Sequence, residues 1–500
     1  MIKRRKIVSQ VFRVLFFLFA IPLCAQEPLT ILHWNDFHSF NQPYETIGQD
    51  SLIVKMGGYA ILSGYINELK KQIAPVALVH AGDDFQGTPI STITKGLSQI
   101  RILNIIKPDV FTLGNHEFDY GKENLEQLLK FARFPIISAN CFDKQSGKLF
   151  LSPYCMKQYG NLKVGFIGLL TPELNQLTLS ENIKDLKILD PAASAKKYMT
   201  MIKDSVDLII IVSHLGIEHD EKLAMEIRGA QIIIGGHSHT ALFETKKVND
   251  IFICQAGSRG RYLGRIDLEY DKQKKEMVEF KAKLIPMVSD KIEKDSLVNF
   301  VIDSLEQIVS TEMEKVIGEL TTDWVRDGHA ESNVGNWQAD VMREFAGTEI
   351  AFQNSGGIRK NMFAGKLTVR DMWELNPFSN NFGVFVLNGE ELVKAMERNA
   401  SGQGEFLQIS GLTYKFNPRQ PVGKRIVEIK INGTLIDPQR EYSVCTNNFV
   451  IGIFYNTFRA AAKNRSIRYL PEIDRDVFIE AVKKQKKISS KIEGRIVAFD

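Results

Sequence analysis

The chain has 500 residues, of which 44% are hydrophobic and 24% are charged. This is ample for a large core and too long for one ordinary domain, so the length predicts roughly two to four domains. The formal net charge of +4 comes from the first 25 residues, which hold five basic and no acidic residues. The rest of the chain carries 58 basic and 59 acidic residues, and this near-neutrality gives no support for a nucleic acid polymer as a partner.

The first 25 residues have the composition of a secretory signal peptide. A basic stretch over residues 3–6 precedes an apolar run from Val14 to Leu23, and the small residue Ala25 follows. The run is short for a membrane span, so we predict a signal peptide over residues 1–25 and an exported mature chain without a stable membrane span. The expected location is the periplasm or the cell surface. A retained N-terminal anchor and a lipid attached to Cys24 are the alternatives.

Four cysteines follow this segment at wide spacings: Cys141, Cys155, Cys254 and Cys445. They form no CxxC pair, so neither a zinc knuckle nor a redox motif is indicated. A disulfide between Cys141 and Cys155 is possible in an oxidising compartment, and the sequence leaves that pairing open.

Residues 26–289 alternate short apolar runs with longer amphipathic stretches, which is typical of an α/β domain. Runs such as KVGFIG and LIIIVS are apolar throughout and predict strands that are buried on both faces. Residues 290–315 differ, because apolar residues recur there at intervals of three and four with charges between them. That pattern predicts one amphipathic helix connecting the first block to a second α/β block over residues 316–500.

Polar side chains follow five of the apolar runs in the first block. Because ligands in open α/β sheets bind beyond the carboxyl ends of the strands, loops far apart in sequence can converge there. The residues in question are Asp36 and His38, Asp83, Asn115 with His116 and Asp119, His214, and His237 with His239.

Imidazole and carboxylate groups of this kind suit a pair of divalent metal ions such as Zn or Mn. Two such ions roughly 3.5–4 Å apart can clamp a phosphoryl oxygen and lower the pKa of a bound water to about 7. The carboxylate of Asp83 can bridge both ions through its two oxygens. Isolated histidines and loop residues are interpreted as structural: His33, His80, His219, His329, Asn140 and Glu173.

Taken together, the D-x-H, GD, GNHE and GHSH motifs resemble those of the calcineurin-like metallophosphoesterases, specifically the 5′-nucleotidase/UDP-sugar hydrolase family. The resemblance covers nearly the whole mature chain and implies a two-sheet metallophosphoesterase sandwich followed by a smaller α/β substrate-recognition domain. It also implies His116 as the residue that stabilises the transition state, paired with Asp119. The implied metal sites are Asp36, His38, Asp83 and His239 for one ion, and Asp83, Asn115, His214 and His237 for the other.

The second block contains a separate set of candidate residues. The segment EIAFQNSGGIR places two glycines and Arg359 after a predicted strand, where a substrate could approach the backbone and a guanidinium could bind phosphate. Two aromatic side chains further on could sandwich a planar base. The family resemblance implies that five residues line a nucleotide pocket: Asn354, Arg359, Phe378, Asn380 and Phe449.

Two departures from the family concern the substrate. Relatives carry a GGDG turn whose Asp binds the ribose hydroxyls, whereas Tyr455 stands at about that place in NFVIGIFYNTF. Relatives also carry an Arg shortly before the segment that here reads SNVG, a role that Arg326 reaches only with a small shift. The Tyr455 departure predicts weak discrimination between ribonucleotides and deoxyribonucleotides, or a substrate that is not a nucleoside phosphate.

The sequence therefore predicts an exported two-metal phosphohydrolase that acts on a small phosphate ester, in the first place a nucleoside 5′-monophosphate. A UDP-sugar or other pyrophosphate and a 2′,3′-cyclic nucleotide are the alternative substrates. An inactive surface protein that kept the fold is the alternative of another class, which the complete set of ligands disfavours.

Overall fold

The structure is a computed structural model that describes residues 26–47, 53–73, 75–459 and 465–499. The predicted signal peptide, residues 1–25, lies outside the described residues. Within the described ranges, every helix is either too short or too polar to cross a membrane.

Two six-stranded mixed sheets form the N-terminal block. The first sheet runs in the spatial order Glu276–Pro286, Tyr262–Asp271, Gln26–Trp34, Val76–His80, Val110–Thr112 and Ile136–Ile137. The second sheet runs in the order Lys246–Val248, Ile251–Gln255, Ile232–Gly235, Leu208–His214, Leu162–Leu170 and Tyr154–Tyr159. Smaller sheets are formed by Tyr44–Ile47 with Ile53–Met56, and by Leu186–Ile188, Cys141–Asp143 and Lys148–Leu149.

The two large sheets pack face to face, with helices on their outer faces. Neighbouring residues of one strand point to opposite layers: Ile31 lies in the core between the sheets, and Leu32 lies in the core under the outer helices. Ile210 and Ile211 divide in the same way on the second sheet. Strands buried on both faces explain why these runs are apolar throughout, so the predicted sandwich is confirmed. The helices of this block are Tyr59–Gln72, Pro89–Ile93, Leu97–Ile106, Lys122–Leu129, Leu174–Leu177, Pro191–Ile202 and Ile217–Glu226.

The connector is not the single helix predicted over residues 290–315. It forms two helices, Ser296–Glu306 and Ser310–Met313. The first begins late because the Asp295 carboxylate accepts the backbone N–H groups of Leu297 and Val298 at 3.0 and 3.1 Å, which fixes an N-cap there. Arg370 of the C-terminal block pairs with Glu306 and Glu314 at 2.9 and 2.8 Å, so the connector is bound on both sides.

A five-stranded mixed sheet forms the centre of the C-terminal block, in the order Leu407–Ser410, Ile350–Asn354, Glu441–Asn447, Asn381–Asn388 and Arg468–Ile473. Helix Asn333–Ala346 packs on one face and helix Gly389–Ala400 on the other. The flanking sheets are Gly365–Thr368, Val316–Leu320 and Lys487–Ile488, and Thr434–Leu435, Ile426–Ile431, Leu412–Phe416 and Ile496–Ala498. The remaining helices are Val369–Leu375, Asn448–Gly452, Phe454–Phe458 and Asp474–Gln485.

Three of the residues interpreted as structural, His33, His80 and Asn140, are buried. His33 is buried opposite Gly264 in the strand register, and burial lowers the pKa of its imidazole to about 4. The His80 imidazole accepts the Gly82 N–H at 3.1 Å in the interior. The Asn140 amide donates to the Leu170 carbonyl at 2.7 Å and so connects two loops. Four cysteine thiols are free, among them the pair considered for a disulfide: Cys141, Cys155, Cys254 and Cys445.

We expect Gly264→Ala to destabilise the fold, because an added Cβ would overlap the buried His33 imidazole. Overpacking of this kind costs about 1–3 kcal/mol. The measurement is the free energy of unfolding from denaturant titration. Gly452→Ala is the control, since its added Cβ meets nothing within 4 Å. Equal stabilities of the two variants would contradict the packing described for His33.

Candidate metal centre and substrate cavity

The predicted metal ligands converge at one edge of the sandwich, on loops that follow the strands. Six of the seven predicted ligands, together with His116, form three overlapping groups, and within each group the ligand atoms lie within 4.8 Å of one another. The groups are Asp36 with His38 and His239, His38 with Asp83 and His116, and Asp83 with His214 and His237. The structure thus brings together residues that are up to about two hundred positions apart, as expected for loops at the carboxyl ends of strands.

The loops bend sharply where they carry these side chains. Five of the seven predicted ligands have a left-handed backbone, namely Asp36, His38, Asp83, His237 and His239, with φ between 49° and 77°. Such conformations are costly for residues other than glycine and cluster at functional sites when the surroundings enforce them. Here hydrogen bonds between loops do so, because Asp36 N–H donates to the Gly82 carbonyl at 2.9 Å and His38 N–H to the Asp83 carbonyl at 3.1 Å.

The carboxylate of Glu117 fixes two of the loops from behind. It accepts the backbone N–H groups of Gly114, Asp84, Asp83 and Phe85 at 2.7, 2.8, 3.0 and 3.2 Å. Burial and the nearby Asp83 carboxylate raise the pKa of Glu117 to about 7, although these N–H groups oppose the shift. Glu117 was not predicted from the sequence, where its signal was its place within the GNHE motif.

The site has the unfilled coordination capacity that a cation requires. His214 Nδ1 donates to the Ala81 carbonyl at 2.7 Å, and its Nε2 lies 3.1 Å from Asp83 Oδ2. Among the described residues, His214 Nε2 and the Asn115 amide oxygen are buried without a hydrogen-bond partner. His38 Nε2 and His239 Nε2 face each other at 2.9 Å. An N–H held by a backbone carbonyl is the usual support of a metal-bound histidine, so these residues fit divalent cations.

The electrostatics of the metal-free chain agree with a cation site. Burial alone would raise the pKa of Asp83, but the imidazoles of His214 and His116 hold it well below its usual value. Burial alone would lower the pKa of His214, but Asp83 and Asp36 raise it to about 10. A proton on His214 thus balances two buried carboxylates. Ligands must lose such protons to bind metal, so a cation can take over this charge balance.

His116 lies beside the cluster and is oriented by Asp119. Its Nδ1 contacts Asp119 Oδ2 at 2.6 Å, and its Nε2 lies 3.9 Å from Asp83 Oδ2. Burial disfavours the imidazolium, but Asp119 and Asp83 outweigh it and raise the pKa of His116. The arrangement favours the protonated form of a ring that faces the candidate metal ligands.

A cavity of about 410 Å³ opens on the cluster and is lined by both blocks. All five predicted substrate-binding residues of the C-terminal block line it, as do Asp83, Asn115, His116, Asp119, His237 and His239. The structure therefore joins the two predicted sets of residues in one space, which has the size of a small-molecule site. The opposite wall was not predicted from the sequence and includes Gln86, Lys95, Tyr120, Leu177 and Asn182.

Arg359 and Phe378 reach across from the C-terminal block toward the metal ligands. Arg359 Nη2 lies 3.5 Å from His38 Nε2, and its guanidinium stands 5.4 Å from the centre of the Phe378 ring. The Phe378 ring in turn stacks on His116 with centroids 5.7 Å apart. A buried guanidinium in this position offers a bidentate partner for a phosphate.

Asn354 and Asn380 are held by their own block. The Asn354 amide accepts from Asn447 Nδ2 at 2.8 Å and donates to Glu405 Oε2 at 3.1 Å. Asn380 is buried, and its backbone carbonyl accepts the Asp474 N–H at 2.7 Å. Both side chains line the cavity in fixed positions.

Two residues singled out in the sequence do not line the cavity. Tyr455 is 64% exposed on helix Phe454–Phe458, outside the cavity wall. Arg326 is exposed, and its Nη1 donates to the Arg359 carbonyl at 3.4 Å. Arg326 therefore contacts the backbone of Arg359 and does not face the cavity.

Arg259 connects the two blocks at this site and was not predicted from the sequence. Its backbone N–H donates to the Asp36 carbonyl at 2.7 Å, and its guanidinium donates to the Arg359 carbonyl. The guanidinium also lies 4.6 Å from the centre of the Phe40 ring. The residue stands in GSRGR, two positions after Gly257. Nothing in this stretch of sequence indicates that its side chain contacts Arg359.

Comparison with known proteins agrees with this architecture. Residues 29–241 match the family model for calcineurin-like phosphoesterases, and residues 316–460 match that for the 5′-nucleotidase C-terminal domain. Fold and site thus define a metallophosphoesterase with an appended 5′-nucleotidase domain. The human 5′-nucleotidase is 30% identical over an alignment of 460 positions that covers 82% of this chain and 79% of that protein. The chain belongs to the 5′-nucleotidase family.

Two further relatives mark the extent of the similarity. The crystal structure of a 5′-nucleotidase precursor from Thermus thermophilus superposes with a TM-score of 0.88 at 30% identity, covering 95% of this chain and all of that one. The trifunctional nucleotide phosphoesterase protein YfkN of Bacillus subtilis is 29% identical over an alignment of 528 positions that covers 94% of this chain but 35% of that protein. The chain thus spans about a third of the length of YfkN.

We expect Asp83→Ala to lose bound metal, because one carboxylate belongs to two of the three ligand groups. The measurement is the metal content of the purified protein after loading with Mn²⁺ or Zn²⁺ and gel filtration. His329→Ala is the control, since it also removes one imidazole but an exposed one. An Asp83→Ala protein that retained the full metal content of the wild type would contradict the assignment.

Proposed function

We propose that this protein is an exported, metal-dependent phosphohydrolase that converts nucleoside 5′-monophosphates into nucleoside and phosphate. The observation that supports this most directly is the shared cavity, in which the metal ligands and the aromatic and arginine residues of the C-terminal block face one another. Export rests on the basic and apolar pattern of residues 1–25.

Two divalent ions, Zn, Mn or similar, are proposed as the cofactors. Asp36, His38, Asp83 and His239 would hold one, and Asp83, Asn115, His214 and His237 the other. Bound there, the ions would polarise the phosphoryl group and acidify the attacking water. The ligand atoms are positioned in advance by hydrogen bonds from the protein, so little reorganisation accompanies binding.

His116 is proposed as the catalytic residue that stabilises charge developing on the phosphoryl oxygens. Its Nε2 faces the cluster, while Asp119 holds Nδ1 at 2.6 Å and favours the protonated ring. An imidazolium fixed in a buried site stabilises the transition state without reorganisation during the reaction. Phe378 packs on the same ring and limits its rotation.

The C-terminal block is proposed to select the substrate. Arg359 would bind the phosphate beside the metal ligands, and Phe378 and Phe449 would contact the base. Asn354 and Asn380 are fixed polar groups on the cavity wall. We assign residues 26–289 to catalysis, residues 316–500 to recognition and residues 290–315 to the connection between them.

Replacement of His116 by Ala should lower kcat by about 10²–10³-fold, the usual effect of removing one transition-state donor. Bound metal should stay at the wild-type level, because His116 is not assigned as a ligand. Both quantities are measured on the same preparation. Full activity of His116→Ala would remove the catalytic role, and loss of metal would make His116 a ligand instead.

The function itself is tested by a substrate panel with the metal-loaded protein. We expect AMP and other nucleoside 5′-monophosphates to have higher kcat/KM than p-nitrophenyl phosphate, UDP-glucose and 2′,3′-cyclic AMP, because only the former combine a terminal phosphate with a stacking base. Hydrolysis of UDP-glucose or the cyclic nucleotide in preference would replace the proposed substrate. A metal-loaded protein inactive on every ester would indicate a binding protein.

A further inference from the structure

The substrate cavity contains one acidic side chain that the proposed reaction does not use. Three acids line it: Asp83, which is a candidate metal ligand, Asp119, which orients His116, and Glu405. Glu405 precedes strand Leu407–Ser410 in the C-terminal block, on the side of the cavity opposite the sandwich.

The Glu405 carboxylate is built into place. Its Oε2 accepts the Asn354 amide at 3.1 Å and the Gly356 backbone N–H at 3.3 Å. Its backbone carbonyl accepts from the Arg398 guanidinium. The preceding Gly404 has a φ of +63°, and a Cβ there would collide with Arg398, so glycine is required for this approach.

One oxygen of this carboxylate remains available to a ligand. Glu405 Oε1 accepts no hydrogen bond from the described ranges of the chain, although the side chain is half-buried at the cavity wall. A Cβ on Gly356 would lie 2.9 Å from Oε1, which places that oxygen directly over the NSGG loop. A fixed carboxylate oxygen accepts hydrogen bonds from hydroxyl or amino groups and repels a second phosphate.

The position along the cavity indicates which part of a substrate Glu405 meets. Arg359 Nη1 donates to the Gly356 carbonyl at 3.4 Å, and the N–H of the same Gly356 donates to Glu405. The Glu405 carboxylate and the Arg359 guanidinium, which is the proposed phosphate-binding group, therefore contact the same residue, Gly356, and lie next to each other along the cavity wall. In a nucleoside 5′-monophosphate the ribose occupies that place, between the phosphate and the base.

We propose that Glu405 is the specificity residue that reads the sugar of the substrate by accepting hydrogen bonds from the ribose 2′- and 3′-hydroxyls. This rests on the proposed nucleotide function. It replaces the expectation of weak sugar discrimination that came from Tyr455, because Tyr455 is exposed outside the cavity and an acceptor is supplied from another loop. A hydroxyl bonded to a charged acceptor contributes roughly ten- to a hundredfold in kcat/KM.

The test compares kcat/KM for AMP, 2′-deoxy-AMP and 3′-deoxy-AMP in the wild type and in Glu405→Gln. Glutamine keeps the shape but removes the charge. We expect the wild type to prefer AMP over at least one deoxy analogue by roughly ten- to a hundredfold, and Glu405→Gln to reduce that preference toward one. Tyr455→Phe is the control and should keep the wild-type preference.

Several results would overturn the proposal. The first is a wild type with equal kcat/KM for AMP and both deoxy analogues, and the second is an unchanged preference for AMP in Glu405→Gln. The third is an equal fall in kcat/KM for all substrates of Glu405→Gln, including p-nitrophenyl phosphate, which would show that Glu405 only shapes the loop. If Glu405→Gln does not fold, as judged by circular dichroism and metal content, Glu405→Asp provides the second variant. Its shortened carboxylate should reduce the preference for AMP, and an unchanged preference there would equally reject the proposal.

A base-free pair separates this proposal from the proposed function. Ribose 5-phosphate and 2-deoxyribose 5-phosphate present the same sugar difference without a nucleobase. If nucleotides are not hydrolysed but Glu405→Gln still narrows the preference between these two esters, the nucleotide assignment fails and the role of Glu405 stands. If AMP is hydrolysed and neither pair responds to the substitution, the nucleotide assignment stands and the role of Glu405 fails.

Discussion

The metal centre depends on the bonding of one carboxylate to the backbone. Glu117 accepts four N–H groups from two neighbouring loops, and these loops carry Asp83 and Asn115. Without that acceptor, four buried donors would lack partners, each at a cost of about 1–3 kcal/mol. The same bonds hold Asp83 in a left-handed conformation, which directs its carboxylate toward the histidines. The positions of these candidate ligands therefore depend on Glu117, which lies behind the two loops.

Rigid and adaptable parts of the site are divided between the two blocks. The candidate ligands follow strands of a sandwich whose core is buried on both faces of each sheet, so a buried framework sets their positions. Recognition groups stand on loops of the other block, where substitutions disturb no strand of the sandwich.

Much of this arrangement could be predicted from residues close together in sequence. The seven candidate ligands could be proposed from the sequence because each follows an apolar strand, and the rule that such loops meet at one edge is general. The late start of the connector helix could not be predicted, since the capping residue Asp295 is held by Ser63 of a helix distant in sequence, at 2.7 Å. Nor could Arg259 and Glu405, whose roles arise from contacts with Arg359, Asn354 and Gly356. The expectation that Tyr455 would lie at the sugar was wrong, because its place in the sequence does not determine which way its side chain points from helix Phe454–Phe458.

The two contacts of Arg259 connect the proposed cation site with the proposed phosphate site. Its main chain is bonded to Asp36, and its side chain to the carbonyl of Arg359. If the proposed cation binds at Asp36 and the proposed phosphate at Arg359, a shift of the Asp36 loop would move the anchor of Arg359, and a shift of Arg359 would act on the Asp36 loop. Coupling of this kind is reciprocal in free energy. The affinity for the cation and the affinity for the phosphate would then be linked in one thermodynamic cycle through the side chain of Arg259.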